Sequence, residues 1–148
     1  SNYNIKLSDL LNVRTFLDHN RPWSQPNLEV SRTSTSKGAF AYAGKRLNNS
    51  VVEQNLKEHF EKWSPYIKKF GLLLIELHTI NPSITAANLG VTAATAYDAT
   101  HGFSDQYILE LDVFQKVINE IGINIDHKHF SKFPNNELAT VSINYLKG

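Results

Sequence analysis

Gly71-Leu72-Leu73-Leu74-Ile75-Glu76-Leu77-His78 is the stretch that decides the fold. A short apolar run that starts at a glycine and stops at polar residues predicts a central strand buried on both faces. Gly71 also serves as the stop signal for whatever precedes it. Just upstream, Ser50 and Glu53 form a capping-box pattern, and Val52, Leu56, Phe60, Trp63 and Ile67 fall on one helical face. The spacing predicts a helix over about 51–69, with Pro65 opening a new turn after Ser64, because a proline in mid-helix loses a backbone bond and clashes. Downstream, Asp112 and Gln115 mark a second helix start, and Val113, Phe114, Val117, Ile118 and Ile121 form its apolar stripe before Gly122.

Working outward, Leu10-Leu11-Asn12-Val13-Arg14-Thr15-Phe16-Leu17 reads as a first buried strand that ends at Asp18-His19-Asn20. From there to about Lys37 the chain is polar, with Pro22 and Pro26, and reads as a long loop. The stretch from Pro82 to Gly102 is rich in Ala and Thr, and Thr92-Ala93-Ala94-Thr95-Ala96-Tyr97 reads as a closely packed helix. Ile123 and Ile125 open a short strand, and Ala139-Thr140-Val141-Ser142-Ile143-Asn144-Tyr145 has the β-branched content of a last strand. Strand, helix, strand, helix, strand, with a parallel crossover, is the order of an open α/β sheet, and residues 1–148 read as a single domain.

Composition narrows the chemistry. The formal charge of +1 gives no electrostatic reason to expect nucleic acid or a membrane as partner. No apolar run approaches the roughly 20 residues that span a bilayer, and the start lacks a secretory pattern, so the reading is cytoplasmic. With no cysteine there are no disulfides, thiolate zinc sites or thiol nucleophiles. A nucleotide-binding α/β fold places a Gly-rich turn after its first strand, and none of the seven glycines makes one. The chain therefore reads as a piece of a larger cofactor-binding fold.

Three polar clusters lie at strand ends: Asp18-His19, Glu76 with His78, and Asp98-Ala99-Thr100-His101-Gly102-Phe103-Ser104-Asp105-Gln106. In open α/β sheets the site lies outside the carboxyl ends of the strands, so the first two should converge on one crevice and the third could close over it. Imidazoles with carboxylates and a carboxamide suit a metal of the iron or manganese type. His59 is expected on the flank of its helix or in solvent, without a role. His127-Lys128-His129 reads as a solvated run. Arg21, Arg32, Lys37, Lys45 and Arg46 read as a basic, solvated edge, one that could also meet a phosphopantetheine phosphate or an acidic carrier protein.

Val13-Arg14-Thr15-Phe16-Leu17-Asp18-His19-Asn20-Arg21-Pro22-Trp23, Gly71 through Thr79, Ala94 through Tyr107 and Leu138 through Asn144 together resemble the C-terminal part of methyltransferase domains in polyketide synthase loading modules, of the apratoxin and bryostatin type. The resemblance implies the C-terminal half of a Rossmann-like class I methyltransferase sheet with flanking helices, its S-adenosylmethionine-binding Gly-rich half lying upstream. It implies carbon methylation of a malonyl-type acyl group on an acyl carrier protein, helped in some relatives by iron or manganese, and no methyl transfer by this chain alone. It assigns His78, His101 and Gln106 as metal ligands and Asp18, His19 and Glu76 as acid/base or supporting groups in the substrate crevice. Arg14, Thr15, Phe16 and Leu17 would wall the methionine end of the cofactor. The partners implied are the carrier protein and neighbouring synthase domains. A half sheet with an open edge also suggests a homodimer. The competing expectation is a non-catalytic module that braces the synthase or docks the carrier protein.

Overall fold

The computed structural model describes residues 4–27, 31–93, 95 and 106–148. Their regular elements are β1 (Asn12–Thr15), β2 (Phe40–Tyr42), β3 (Lys45–Leu47), α1 (Asn49–Glu61), α2 (Ser64–Ile67), β4 (Leu72–Leu77), α3 (Pro82–Ala87), α4 (Leu111–Glu120), β5 (Asn124–Ile125), β6 (Ser131–Phe133) and β7 (Val141–Lys147). The main sheet runs β1-β4-β7-β5, and β6 also pairs with β7. β1 and β4 are parallel, while β7 runs antiparallel to β4. The α/β expectation holds as a five-stranded mixed sheet with flanking helices. No helix among the described residues is long and apolar enough to cross a membrane.

Several boundaries move for local reasons. The first strand is only Asn12–Thr15, because Phe16 takes φ +54, a left-handed conformation that leaves the pleat. It is not fully buried either: Val13 is 57% exposed. The predicted helix over 51–69 is two helices. The first is capped by Asn48, whose side chain accepts from the Ser50 amide, so the Ser50–Glu53 box is not the cap. The second carries Pro65 in its first turn, where a missing amide costs nothing. The Asp112 start is displaced as well, since Glu110 occupies the N-cap of α4 without capping it. The hairpin β2–β3 and strand β6 were not expected. The proposed helix at 92–97 is described only at Thr92, Ala93 and Thr95, so the rest of it lies outside the described residues.

Burial along β4 alternates. Leu72, Leu74 and Glu76 are buried, whereas Leu73, Ile75 and Leu77 are half-buried. The buried side faces α1 and α4, which pack on each other through Val52, Leu56 and Phe60 of one and Val113, Phe114, Val117 and Ile118 of the other. Gly71 enters this strand at φ +83, and a Cβ there would lie 2.6 Å from the Leu146 carbonyl oxygen. Gly71→Ala is expected to cost roughly 1–3 kcal/mol in urea unfolding, from backbone strain alone. A loss under half a kcal/mol would show that the turn relaxes freely.

Candidate active site

The carboxyl ends of β1 and β4 lie side by side, because Phe16 continues the parallel ladder by donating to the Ile75 carbonyl at 2.8 Å. Beyond Phe16 the chain runs along α1, and helical spacing sets its contacts. Asn55 and His59 stand one turn apart on that helix, and Trp63 follows in the turn just beyond its end. They meet, in order, Arg21, Asp18 and Arg14. Arg21 Nε donates to Asn55 Oδ1 at 2.6 Å, His59 Nε2 lies 2.7 Å from Asp18 Oδ1, and the Arg14 guanidinium sits 4.3 Å from the centre of the Trp63 ring. Asp18 is fully buried, and its Oδ1 also receives Arg14 Nε at 2.9 Å. Asp18 Oδ2 has no hydrogen-bond partner among the described residues. His59 is thus neither idle nor solvated, which corrects the sequence expectation.

His19 turns the opposite way from Asp18 and meets Glu76. Its ring Nδ1 is 2.5 Å from Glu76 Oε1, and its backbone amide donates to Oε2 at 3.0 Å. The Leu77 amide donates to Oε1 as well, at 2.7 Å. A carboxylate oxygen on Nδ1 places the ring proton there and leaves Nε2 as the free lone pair. No partner for Nε2 appears among the described residues. Both side chains are almost wholly buried, at 8% and 4% exposure.

His78 sits one residue beyond β4 with both ring nitrogens engaged. Nδ1 donates to the Leu109 carbonyl at 3.3 Å, and Nε2 lies 2.6 Å from Ser142 Oγ, which in turn accepts from Asn144 Nδ2 at 2.7 Å. Burial holds this imidazole neutral, with its pKa lowered from 6.5 to about 4, opposed by the Leu109 contact. The unfolded chain therefore takes up this proton first. The stabilising contribution of neutral His78 is complete above about pH 6.5 and is lost as pH falls from there to about 4, on the order of 3 kcal/mol in all. Urea unfolding at pH 7 and pH 4.5 should show that loss, and His78→Gln should flatten it.

The sheet thus brings His19 to Glu76 at one strand end, while Asp18 turns away to Arg14 and His59. Arg14 turns toward Asp18 and Trp63, while Thr15, Phe16 and Leu17 are exposed at the end of β1. Gln106 is half-buried, and His101 lies outside the described residues. Among the described residues no three His, Asp or Glu side chains are grouped to hold a metal ion. For His78 to ligate a metal it would have to give up Ser142 or Leu109. Among the basic residues, Arg21 is buried, and Arg32 grips both Glu120 carboxylate oxygens at 2.8 Å and approaches the buried Glu53 at 3.3 Å, so these two are not a solvated edge. Burial raises the Glu53 pKa, and Arg32 and Lys116 offset that only in part.

The sequence reading missed His59, Ser142 and Asn144. Only a buried polar row on the last strand could have signalled the latter two. A concavity of about 440 Å³ beside the N-terminus of α4 is lined by residues such as Thr79, Asn81, Glu110 and Lys132. It holds no histidine and none of the expected site residues. His19, Glu76 and His78 border instead a cavity of about 10 Å³, together with Arg21 and Tyr107.

A mixed sheet with two parallel strands, an antiparallel closing strand and flanking helices is consistent with part of a methyltransferase fold. Residues 1–144 match the AprA MT2-like domain family, and the chain belongs to that family. No curated protein matches the sequence.

Proposed function

We propose that this chain is the acyl-handling part of a carbon methyltransferase of polyketide synthases. Its substrate is a malonyl-type group held as a thioester on the phosphopantetheine arm of an acyl carrier protein. One observation carries the reading: Glu76 fixes His19 by Nδ1 at the carboxyl ends of two adjacent parallel strands, which leaves Nε2 available as a base. In the proton-transfer step His19 Nε2 takes a proton from the α-carbon. The C–H electron pair moves into the thioester as an enolate, and Glu76 holds the imidazolium that results. Asp18 braces the same segment through Arg14 and His59.

S-adenosylmethionine, when bound, supplies the electrophilic methyl group. Thr15, Phe16 and Leu17 offer an exposed wall for its methionine end. The sequence has no Gly-rich turn for the nucleoside, so in this proposal that part of the site comes from outside these residues. A metal of the iron or manganese type, held by His78, His101 and Gln106, carries its own test. It requires one-to-one manganese binding by calorimetry that is lost in both His78→Ala and Gln106→Ala.

The test of the main reading needs neither cofactor nor metal. In deuterium oxide the protein is expected to speed α-proton exchange of methylmalonyl-pantetheine above the buffer background, followed by proton NMR. His19→Gln is expected to remove the acceleration. No acceleration by the wild-type chain would overturn the proposal in favour of a non-catalytic module that braces the synthase or docks its carrier protein.

A further inference from the structure

Arg21 is a buried cation that is not spent on a carboxylate. It is 4% exposed, and burial draws its pKa down to about 10, so it keeps its charge at neutral pH. Buried guanidinium groups are ordinarily paired directly with an acid. Here no ion pair involving Arg21 forms among the described residues. Asn55 takes Nε, the Asp18 carbonyl takes Nη1 at 2.9 Å, and the Tyr107 ring centre stands 5.5 Å from the guanidinium carbon. The planar group is thus held from three directions. Its remaining nitrogen, Nη2, is buried without a hydrogen-bond partner among the described residues. An unmet buried donor costs about 1–3 kcal/mol, more when charged, so its retention calls for an acceptor.

The small cavity beside Arg21 has the size for that acceptor. Its volume of about 10 Å³ is close to what a single water, or one oxygen atom of a ligand, occupies. His19 and Glu76 border the same space. The Arg21 and His19 side chains then border one cavity.

We infer that Arg21 is a catalytic residue whose Nη2 receives the thioester oxygen of the acyl substrate and stabilises the enolate formed when His19 removes the α-proton. This rests on the proposed proton-transfer function. The bond that breaks is the α C–H and the bond that forms is N–H on His19. The electron pair comes to rest on the thioester oxygen against the guanidinium, whose charge is set in place before the reaction begins. Recognition follows the same chemistry: an enolisable acyl thioester is accepted, while an alkyl thioether of the same length has no oxygen to place there.

The experiment is again exchange of methylmalonyl-pantetheine in deuterium oxide, with thermal unfolding as the control for folding. Arg21→Met is expected to lower the maximal exchange rate by about 10²–10³-fold with little change in the half-saturating concentration, as for a contact made only in the transition state. In Arg21→Ala, added methylguanidinium is expected to restore part of the rate, which a merely structural role would not allow. Should both variants fail to fold, Asn55→Ala keeps the charge but frees Nε, and about a tenfold loss of maximal rate is expected. A folded Arg21→Met with exchange within threefold of wild type, a folded Arg21→Ala that methylguanidinium cannot rescue, or an unaffected Asn55→Ala overturns the inference. The two readings fail separately. Exchange that survives His19→Gln removes the base and Arg21 with it, whereas exchange lost in His19→Gln but kept in Arg21→Met removes Arg21 alone.

Discussion

Glu76→Gln is expected to cut α-proton exchange by about 10²–10⁴-fold while leaving the fold intact. Glu76 now accepts three hydrogen bonds, from the His19 ring, the His19 amide and the Leu77 amide. A carboxamide has one accepting oxygen and one donating nitrogen. If the oxygen takes the Oε2 place on the His19 amide, the nitrogen falls at the Oε1 place against His19 Nδ1, and the ring must shift its proton to Nε2. The base is then blocked although every atom remains near its place. NMR of the imidazole nitrogens would reveal the tautomer change directly, and exchange rates would report its consequence. Exchange within threefold of wild type would mean that Glu76 does not set the tautomer.

Phe60→Ala is expected to cost about 3–5 kcal/mol and to lower the thermal midpoint by roughly 10 °C. Phe60 is fully buried and stands edge-on to Phe114, with ring centres 5.9 Å apart. It joins α1 to α4 over the sheet, and its neighbours Val52, Leu56, Val117 and Ile118 are themselves closed in. Rigid partners on both sides collapse poorly into a void, which puts the cost toward the upper end. Calorimetric unfolding of the variant measures it. A loss below about 1 kcal/mol would mean that the two helices slide together to fill the space.

The stripe that contains Phe60 was legible because it needs only the 3.6-residue period of one helix, and Val113 to Ile118 were legible for the same reason. β4 announced itself by its apolar run. Its burial on both faces did not follow, since Leu73, Ile75 and Leu77 are only half-covered. Pairings set by distant residues were not legible. The direction of β7, the hairpin from Phe40 to Leu47 and the short β6 depend on which strand each one meets. The site divides in the same way. Asp18, His19, Glu76 and His78 stood out as polar residues at strand ends, and the sheet brings His19 to Glu76. His59 could not be placed, because its partner Asp18 is 41 residues away and arrives only after Phe16 turns the chain. Arg21 read as one of several basic loop residues until Asn55 and the Asp18 carbonyl fixed it inside.

The buried polar row of the sheet has a consequence for how the strands find one another. Glu76 lies opposite Ser142 and Leu74 opposite Asn144, on the side that faces the helices. Sliding β7 by one residue would turn Ser142 and Asn144 outward and Val141 and Ile143 in, an exchange that hydrophobicity alone would welcome. Sliding it by two keeps the faces but carries Ser142 about 7 Å away from the His78 imidazole. Neither slip keeps the hydrogen bond between His78 and Ser142. A short, otherwise apolar pairing therefore carries a key cut in polar side chains, and only one alignment of β4 and β7 fits the lock.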